Sequence, residues 1–358
     1  PYFCDVYGNP SSLHHMGQKA HSALEEARLA TANAIGCERS ELYFTSGGSE
    51  ADNWAIKGTA ELMAKKGKKH IISTTVEHHA VLHTLKKLEK QGFEITLLPV
   101  SSDGFVSPGD VASAIKDDTA LVTVMYANNE IGTIQPITEI GEICREKGVI
   151  FHTDAVQAVG HLPIDVKAQN IDMLSMSGHK FHGPKGIGAL YLSDRLVQAF
   201  QPPYLGGEQE RGLRPGTENL PYAMGLAAAA ARLAKTMKSR DTAMRALNQR
   251  LRDGLAAFPE VVLNSPADAV PEVLNFSENC IKSETMLAFL AEAQIYVSSA
   301  SACGRGQPSH TLAAMGRDPL AIDTAIRVSF CADNTPEDVD AFLERFEDGM
   351  KHLQRIKK

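Results

Sequence analysis

The sequence lacks several features that would place it in common protein classes. It has no uninterrupted apolar run near the ~18–20 residues that a membrane-spanning helix needs. Its first residues have neither a basic start nor a continuous apolar core, so they do not form a secretory signal. Its six cysteines include no C-x-x-C pair, which argues against a zinc or thioredoxin-type centre. We therefore expect a cytoplasmic protein with reduced thiols, no membrane contact and no metal.

Charge and composition narrow the function further. Lys and Arg number 36 against 43 Asp and Glu, a formal net charge of -7, so we expect no direct nucleic-acid binding. With 43% hydrophobic and 22% charged residues, the chain of 358 residues has ordinary globular proportions. A chain of this length has room for two domains.

Short β-branched runs alternate with helical patterns over the first two thirds of the chain. We predict strands at 41–46, 69–76, 94–100, 119–127, 149–154, 172–177 and 186–193, and helices at 49–67, 80–92 and 137–148. This alternation is typical of an α/β fold with a mainly parallel sheet covered on both faces. In such sheets, ligands bind beyond the carboxyl ends of the strands.

A smaller α+β domain is predicted after a long helical region at 218–258. Its predicted strands are 260–265, 272–277, 293–301 and 325–330, and its helices lie at about 283–293, 308–316 and 336–354. We set the large domain at 1–235 and the small domain at 236–358.

Polar side chains follow four successive predicted strands, and all four are expected at one edge of the sheet. They include His78, Asn129, Asp154 and Ser177. One such group is an ordinary loop residue, but four at one edge indicate a site. The turn at 46–49, Ser-Gly-Gly-Ser, opens a helix and is either a phosphate cradle or simply a capped helix start.

Asp154 and Lys180 together suggest pyridoxal phosphate (PLP), which pairs a lysine with an acid at its ring nitrogen. Lys180 follows Ser177 and His179, and a partly desolvated lysine near other cations becomes a nucleophile. The alternative for Lys180 is a surface loop lysine, which is also our interpretation of Lys185.

Other candidates stay open on the residues alone. The loop at 211–219 binds phosphate, makes a subunit contact or is a basic surface turn. Cys303 lies in a loop rich in small residues, where a thiol is accessible. Arg327 lies in an apolar strand, where it binds a substrate carboxylate or forms an internal salt bridge with Asp323 or Asp333.

His78 and His79 together with His83 suggest a metal, but only His79 and His83 have helical i, i+4 spacing, and this pair has no H-E-x-x-H motif and no evident third ligand. An imidazole lying over a flat aromatic ligand explains them equally well.

Eight motifs follow one another along the chain: TSGGSEADN, EHHAV, ANNEIGTIQPI, HTDAVQAVG, SGHKFHGPKGIGALY, GGEQERGLRPGTEN, VSSASAC and IRVSF. In their order and spacing they resemble one family over almost the whole chain. The sequence strongly resembles the PLP-dependent cysteine desulfurases, in the class-V aminotransferase group and of the nitrogen-fixation and iron–sulfur-assembly type. The resemblance implies PLP fold type I, with an aspartate-aminotransferase-like large domain.

The resemblance also implies roles for individual residues. Lys180 binds the cofactor covalently and later moves protons, His78 stacks on the ring and acts in acid–base steps, and Asp154 keeps the ring nitrogen protonated. Gln157 hydrogen-bonds the phenolic oxygen of PLP. The phosphate is held by Gly48, Ser49, Ser177 and His179, and by Thr217 from a neighbouring subunit, which implies a homodimer. Asn129 and Arg327 bind the substrate carboxylate, and Cys303 is the nucleophile that takes the sulfur.

The implied reaction converts L-cysteine to L-alanine and an enzyme persulfide, which passes to an acceptor protein for iron–sulfur assembly or thiolation. The alternatives are a selenocysteine lyase or another class-V PLP enzyme, and, from another class, a non-catalytic scaffold subunit. Two departures from the family pattern stand out. An N-terminal Asp-Asn-Ala-Ala-Thr-like segment is expected but absent, and the cysteine loop has Ala300 in place of a glycine.

Overall fold

The computed structural model describes residues 1–299 and 308–356. The chain divides into two compact units. The first comprises Pro1–Leu98, Ser107–Tyr126 and Gln135–Met237, and the second comprises Pro99–Val106, Ala127–Ile134 and Lys238–Lys358. The two short inner segments of the second unit fall within the range that the sequence analysis gave to the large domain.

A seven-stranded sheet forms the centre of the first unit, with the strand order β1-β7-β6-β5-β4-β2-β3. Its strands are β1 Leu42–Thr45, β2 His70–Thr74, β3 Glu94–Leu98, β4 Thr119–Thr123, β5 Ile150–Asp154, β6 Met173–Ser177 and β7 Gly188–Leu192. Only β7 runs against its neighbours β1 and β6, and the other pairs are parallel. The predicted mainly parallel α/β sheet is therefore confirmed.

The strands of this sheet are buried along their whole length, except for the edge strand β3. Such burial is typical of a parallel sheet that helices cover on both faces. The helices are α1 His15–Asn33, α2 Gly48–Ala64, α3 His79–Glu89, α4 Pro108–Ala114, α5 Ile137–Lys147 and α6 Asp194–Val197. Helix α2 packs against β4, β5, β6 and β7, and its small residues Ala51, Ala55 and Ala60 are fully buried.

Helix α7, Leu220–Leu255, confirms the predicted long helical region and carries the chain from the first unit into the second. The second unit contains the antiparallel strands β8 Val262–Leu263, β9 Val273–Ser277 and β10 Ala325–Ser329, with the order β10-β9-β8. Its helices are α8 Ser283–Glu292, α9 His310–Ala314, α10 Pro319–Asp323 and α11 Pro336–His352. Its core includes Phe276, Phe342 and Phe346, whose rings contact one another.

One predicted strand is wrong in its described part. Residues 293–299 form only an isolated bridge between Ser298 and Arg327 rather than a strand. Among residues 1–299 and 308–356, no helix combines the length and the apolar character that a bilayer crossing requires.

Candidate active site

The site in the first unit lies at the carboxyl ends of parallel strands. Strands β2, β4, β5 and β6 run in the same direction, so their ends share one edge of the sheet. His78 follows β2, Asp154 is the last residue of β5 and Ser177 is the last residue of β6. The parallel order therefore brings His78, Asp154 and Ser177 to one edge, whereas Asn129, the fourth residue that the sequence analysis expected there, belongs to the second unit.

The N-terminus of α2 offers backbone donors at this edge. Its N-cap residue is Gly47, with φ 155°, and no side chain caps the first turn. A side chain at Gly48 is excluded, because an added Cβ would lie 2.6 Å from Val156 Cγ2. Uncapped N–H groups and the helix dipole favour an anion at such a terminus. The arrangement fits the phosphate of PLP.

Glu50, in the first turn of α2, does not oppose an anion there. Its carboxylate is paired with Arg214, with 2.9 Å between Nε and Oε1, and it also accepts from the Ser46 N–H at 2.8 Å. These two partners lower the pKa of Glu50 against the effect of its burial. The same ion pair ties the loop at 211–219 to the start of α2.

The turn after β6 adds two more polar groups beside this terminus. Ser177 Oγ lies 3.0 Å from His179 Nδ1. An added Cβ on Gly47 would lie 3.7 Å from the same Ser177 oxygen, so the two turns are in close proximity. Gly188 of β7 pairs with both Thr45 and Ser177, and a Cβ there would lie 2.7 Å from Gly47 Cα. The two polar turns approach each other across a residue that has no side chain.

Asp154 is buried, with its Oδ1 accepting from the Val156 N–H at 3.0 Å. Burial raises the pKa of this carboxyl to about 6, although the Val156 N–H and the charge of Lys180 both act to lower it. A buried carboxyl is stable as an anion only when a cation or several donors compensate it. A protonated ring nitrogen is such a partner, so Asp154 also fits PLP.

Lys180 lies in the short 3-10 helix Gly178–Phe181, and its side chain is exposed. The backbone carbonyl oxygen of Lys180 lies 3.1 Å from His161 Nε2. Burial, together with the charges of Lys180 and Lys185, lowers the pKa of His179. The charge of Lys180 reaches the Asp154 carboxyl, and this distinguishes it from Lys185 among the two candidate lysines.

For the other predicted cofactor residues of the first unit, the structure gives a position but does not identify a role. His78 is the N-cap of α3 and accepts from the Ala80 N–H at 3.1 Å. Gln157 is half-buried, whereas Ser49 and Thr217 are exposed. Their assignments stay predictions.

Arg327 and Asn129 come together in the second unit. Arg327 Nη1 donates to the Asn129 carbonyl oxygen at 2.8 Å, and Nη2 lies 3.5 Å from Ser298 Oγ. Burial lowers the pKa of Arg327, and only Glu130 acts against this. Within the described chain, no carboxylate forms a salt bridge with this guanidinium, so the alternative of an internal pair with Asp323 or Asp333 is wrong. Cys303 lies outside the described residues.

Around Asp154, sequence reasoning missed Asp52, His152 and Ser175, and it noted Glu77 only as one of the polar residues after the strand at 69–76. Asp52 and His152 are fully buried, as are Glu77 and Ser175. His152 precedes Asp154 by two residues on β5, so the two share a face of the sheet, and this spacing was the available signal. One side-chain atom each from Asp52, His78 and Asp154 lie within 4.8 Å of one another, a spacing that a cation could also bridge.

Comparison with known proteins agrees with this geometry. The model of the family "Aminotransferase class-V" matches residues 1–342. The chain is 49% identical over 350 residues to the cysteine desulfurase IscS of Clostridium botulinum, covering 96% of this chain and 87% of the relative. It is 48% identical over 359 residues to the cysteine desulfurase IscS of Methanosarcina thermophila, covering 99% and 88%.

Among solved structures, one described as a NifS-like protein matches with a TM-score of 0.93 and 37% identity, covering 98% of this chain and 94% of the other. The fold is therefore PLP fold type I, as the resemblance implied. With a matching family model over most of its length and relatives near half identity, the chain belongs to the class-V aminotransferase family of PLP-dependent enzymes.

Proposed function

We propose that this enzyme is a cysteine desulfurase, which converts L-cysteine to L-alanine and leaves the sulfur as a persulfide on Cys303. The relatives named as cysteine desulfurases support this function. The observation that carries it is the buried Asp154, within reach of the charge of Lys180 and at the same sheet edge as the uncapped start of α2. These are the places where PLP needs an acid, an amine and an anion site.

The phosphate of PLP would be held at the junction of the two polar turns. The proposed ligands are the backbone at Gly48, the hydroxyls of Ser49 and Ser177, and the His179 imidazole. The close approach of Gly47 to Ser177 supports this set, because donors from two turns then face one position.

Three residues would hold the ring. Asp154 keeps the ring nitrogen protonated, Gln157 donates to the phenolic oxygen, and the half-buried His78 lies against the ring face. When bound, PLP supplies a ring that withdraws electrons from the substrate α-carbon. Lys180 would hold the cofactor covalently, and its amine would accept the α-proton of the substrate.

Arg327 and Asn129 would bind the carboxylate of L-cysteine. The guanidinium of Arg327 is mostly buried and lacks a carboxylate partner within the described chain, so it can accept a bidentate anion. The Asn129 carbonyl at 2.8 Å fixes one nitrogen and orients the others.

The sulfur transfer would use Cys303 as a thiolate. Its sulfur attacks the sulfur of the substrate, an S–S bond forms and the substrate C–S bond breaks. The electron pair of the broken bond stays with the alanine skeleton, which takes a proton. The persulfide then passes to an acceptor protein for iron–sulfur assembly or thiolation.

The proposal includes a homodimer in which Thr217 reaches the phosphate site of the second copy. Its support is that Thr217 is exposed while its loop is anchored through Arg214 to α2. A cytoplasmic location is also proposed, on the basis of the buried free thiols Cys37 and Cys144.

Substitution of the nucleophile tests the function. We expect Cys303→Ala to abolish alanine formation from L-cysteine while leaving the visible absorption of the bound cofactor unchanged, and Cys331→Ala, at a half-buried thiol, to be close to wild type. Alanine release by Cys303→Ala at the wild-type rate would refute the assignment. Parallel assays with L-selenocysteine distinguish a selenocysteine lyase, and purified protein that never takes up PLP would point to a scaffold subunit.

A further inference from the structure

The carboxyl group of Asp52 is a second buried acid beside Asp154. It lies on α2 and is 0% exposed, and within the described residues neither of its oxygens has a partner at hydrogen-bond geometry. His152 is a potential cation near it, with 3.8 Å between Nε2 and Asp52 Oδ1. This distance is too long for a hydrogen bond.

His152 is itself neutral, so it does not compensate Asp52. Burial lowers the pKa of His152 to about 3. Its ring nitrogens are already engaged, Nδ1 with Thr123 Oγ1 at 2.8 Å and Nε2 with Ser175 Oγ at 3.0 Å. Among the described residues, the hydroxyls, the carboxyls and His152 near Asp52 bring no formal positive charge, and the other titratable group close to it is His78, which has a ring nitrogen within 4.8 Å of an Asp52 oxygen.

The groups that face Asp52 are mostly acids. Burial raises the pKa of Asp52, and the charges of Asp154 and Glu77 raise it further, whereas the nearby Ser175 hydroxyl acts in the opposite sense. Glu77, which follows β2, is also buried, and its pKa is raised to about 8. The charge of Lys180 acts on Asp154. Carboxylates this close in a buried site do not all ionise.

We propose that Asp52 is a protonated carboxylic acid at neutral pH and serves as a positioning residue for Asp154, donating its proton toward that carboxylate so that the single negative charge of the pair stays there. Atoms of the two carboxyls lie within 4.8 Å of each other, so a small side-chain rotation or one bridging water would join them. The role of Asp154 toward the ring nitrogen rests on the proposed function, but the protonation of Asp52 does not.

Infrared spectroscopy of the apo protein tests the protonation separately from the function. We expect wild type at pH 7 to show the C=O stretching band of a buried carboxylic acid, shifted in D2O and absent in Asp52→Asn. Glu77→Gln identifies the band of the second buried acid. Glu61→Gln, at an exposed position of the same helix, should leave the spectrum of the buried acids unchanged. A wild-type spectrum without the Asp52 band overturns the proposal, as does a band that appears only after a chelator removes a bound cation.

Absorption of the holoenzyme tests the positioning role. Without a donor at position 52, the pKa of Asp154 rises. The protonated form of Asp154 then persists to a higher pH. We expect the acid-side midpoint of the pH-dependent cofactor absorption to move up by about one unit in Asp52→Ala. Asp52→Asn retains an N–H donor of the same size and should keep the wild-type midpoint. Equal midpoints in Asp52→Ala and Asp52→Asn, with both proteins folded and loaded, overturn the donor role.

Discussion

Glu210 and Asp52 are both buried carboxyls of the first unit, but only Glu210 has a cation beside it. Arg28 donates to Glu210 through Nη1 at 2.6 Å and Nη2 at 2.8 Å, and the Phe44 N–H adds a third donor at 2.9 Å. This fork holds Glu210 although its backbone has φ 47°, which is uncommon for a residue with a side chain. Asp52 has no such partner.

The difference between these two acids separates structure from chemistry. A buried charge that only supports the fold is compensated by the protein itself, as in the Arg28–Glu210 pair. Buried acids left uncompensated have raised pKa values, and such groups cluster where a ligand completes the balance. Asp52 and Asp154 belong to this second kind, and the raised pKa of the buried Glu77 beside them also supports placing the cofactor there.

Removal of Asp154 should have the largest effect, and it should fall on activity alone. We expect Asp154→Asn to lower kcat/KM for L-cysteine by about 10²- to 10⁴-fold, the range for a group that acts in proton transfer or holds its partner's proton. The free energy of unfolding of the apo protein should stay the same or rise, because an uncompensated buried charge is lost. A variant that is active but unstable would contradict this contrast.

Removal of Arg28 should have the opposite pattern. Arg28→Met leaves the Glu210 carboxylate buried without its cation, and we expect a loss of about 3–5 kcal/mol in the free energy of unfolding. Urea denaturation measures it. The matched control is Glu25→Gln, which breaks the more exposed partner of the same arginine and should cost about 1 kcal/mol or less. Equal losses in the two variants would show that burial does not set the difference.

The pH dependence of stability should give the smallest effect. The folded apo protein binds the Asp154 proton more tightly than the unfolded chain does, since the pKa is raised from 3.8 to about 6. Unfolded molecules therefore lose this proton first, and this group makes the protein less stable as the pH rises through that window. Asp154→Asn lacks the contribution. The stability difference between apo Asp154→Asn and wild type should thus grow from pH 4 to pH 7, and a constant difference would contradict the raised pKa.

The sequence predicted the sheet and the strand ends because these depend on local patterns. Alternating β-branched runs located the central strands, and the polar residues after them located Asp154 and Ser177. Helix α1 was missed because half of its buried positions are alanines, Ala20, Ala23, Ala27 and Ala32, which give little hydrophobic contrast. The described part of the predicted strand, 293–299, failed because apolar composition does not specify a pairing partner.

The missed part of the site has a different physical reason. Asp52 is one polar residue among several at the start of α2, and a sequence does not say which of them turns toward the sheet. Only the packing of α2 over β5 and β6 shows that Asp52 faces Asp154. Arg327 was predicted as an anion site with an internal salt bridge as the alternative, and only the structure shows that no carboxylate of the described chain pairs with it.

Gly188 shows how much of such a site depends on a residue that takes no part in its chemistry. A methyl group there would lie 2.4 Å from the Met176 carbonyl oxygen and would force the turns at Gly47 and Ser177 apart. A search for functional residues that considers only reactive side chains would not identify Gly188. The spacing of the two anion-binding turns is nevertheless set by the missing side chain in the strand between them.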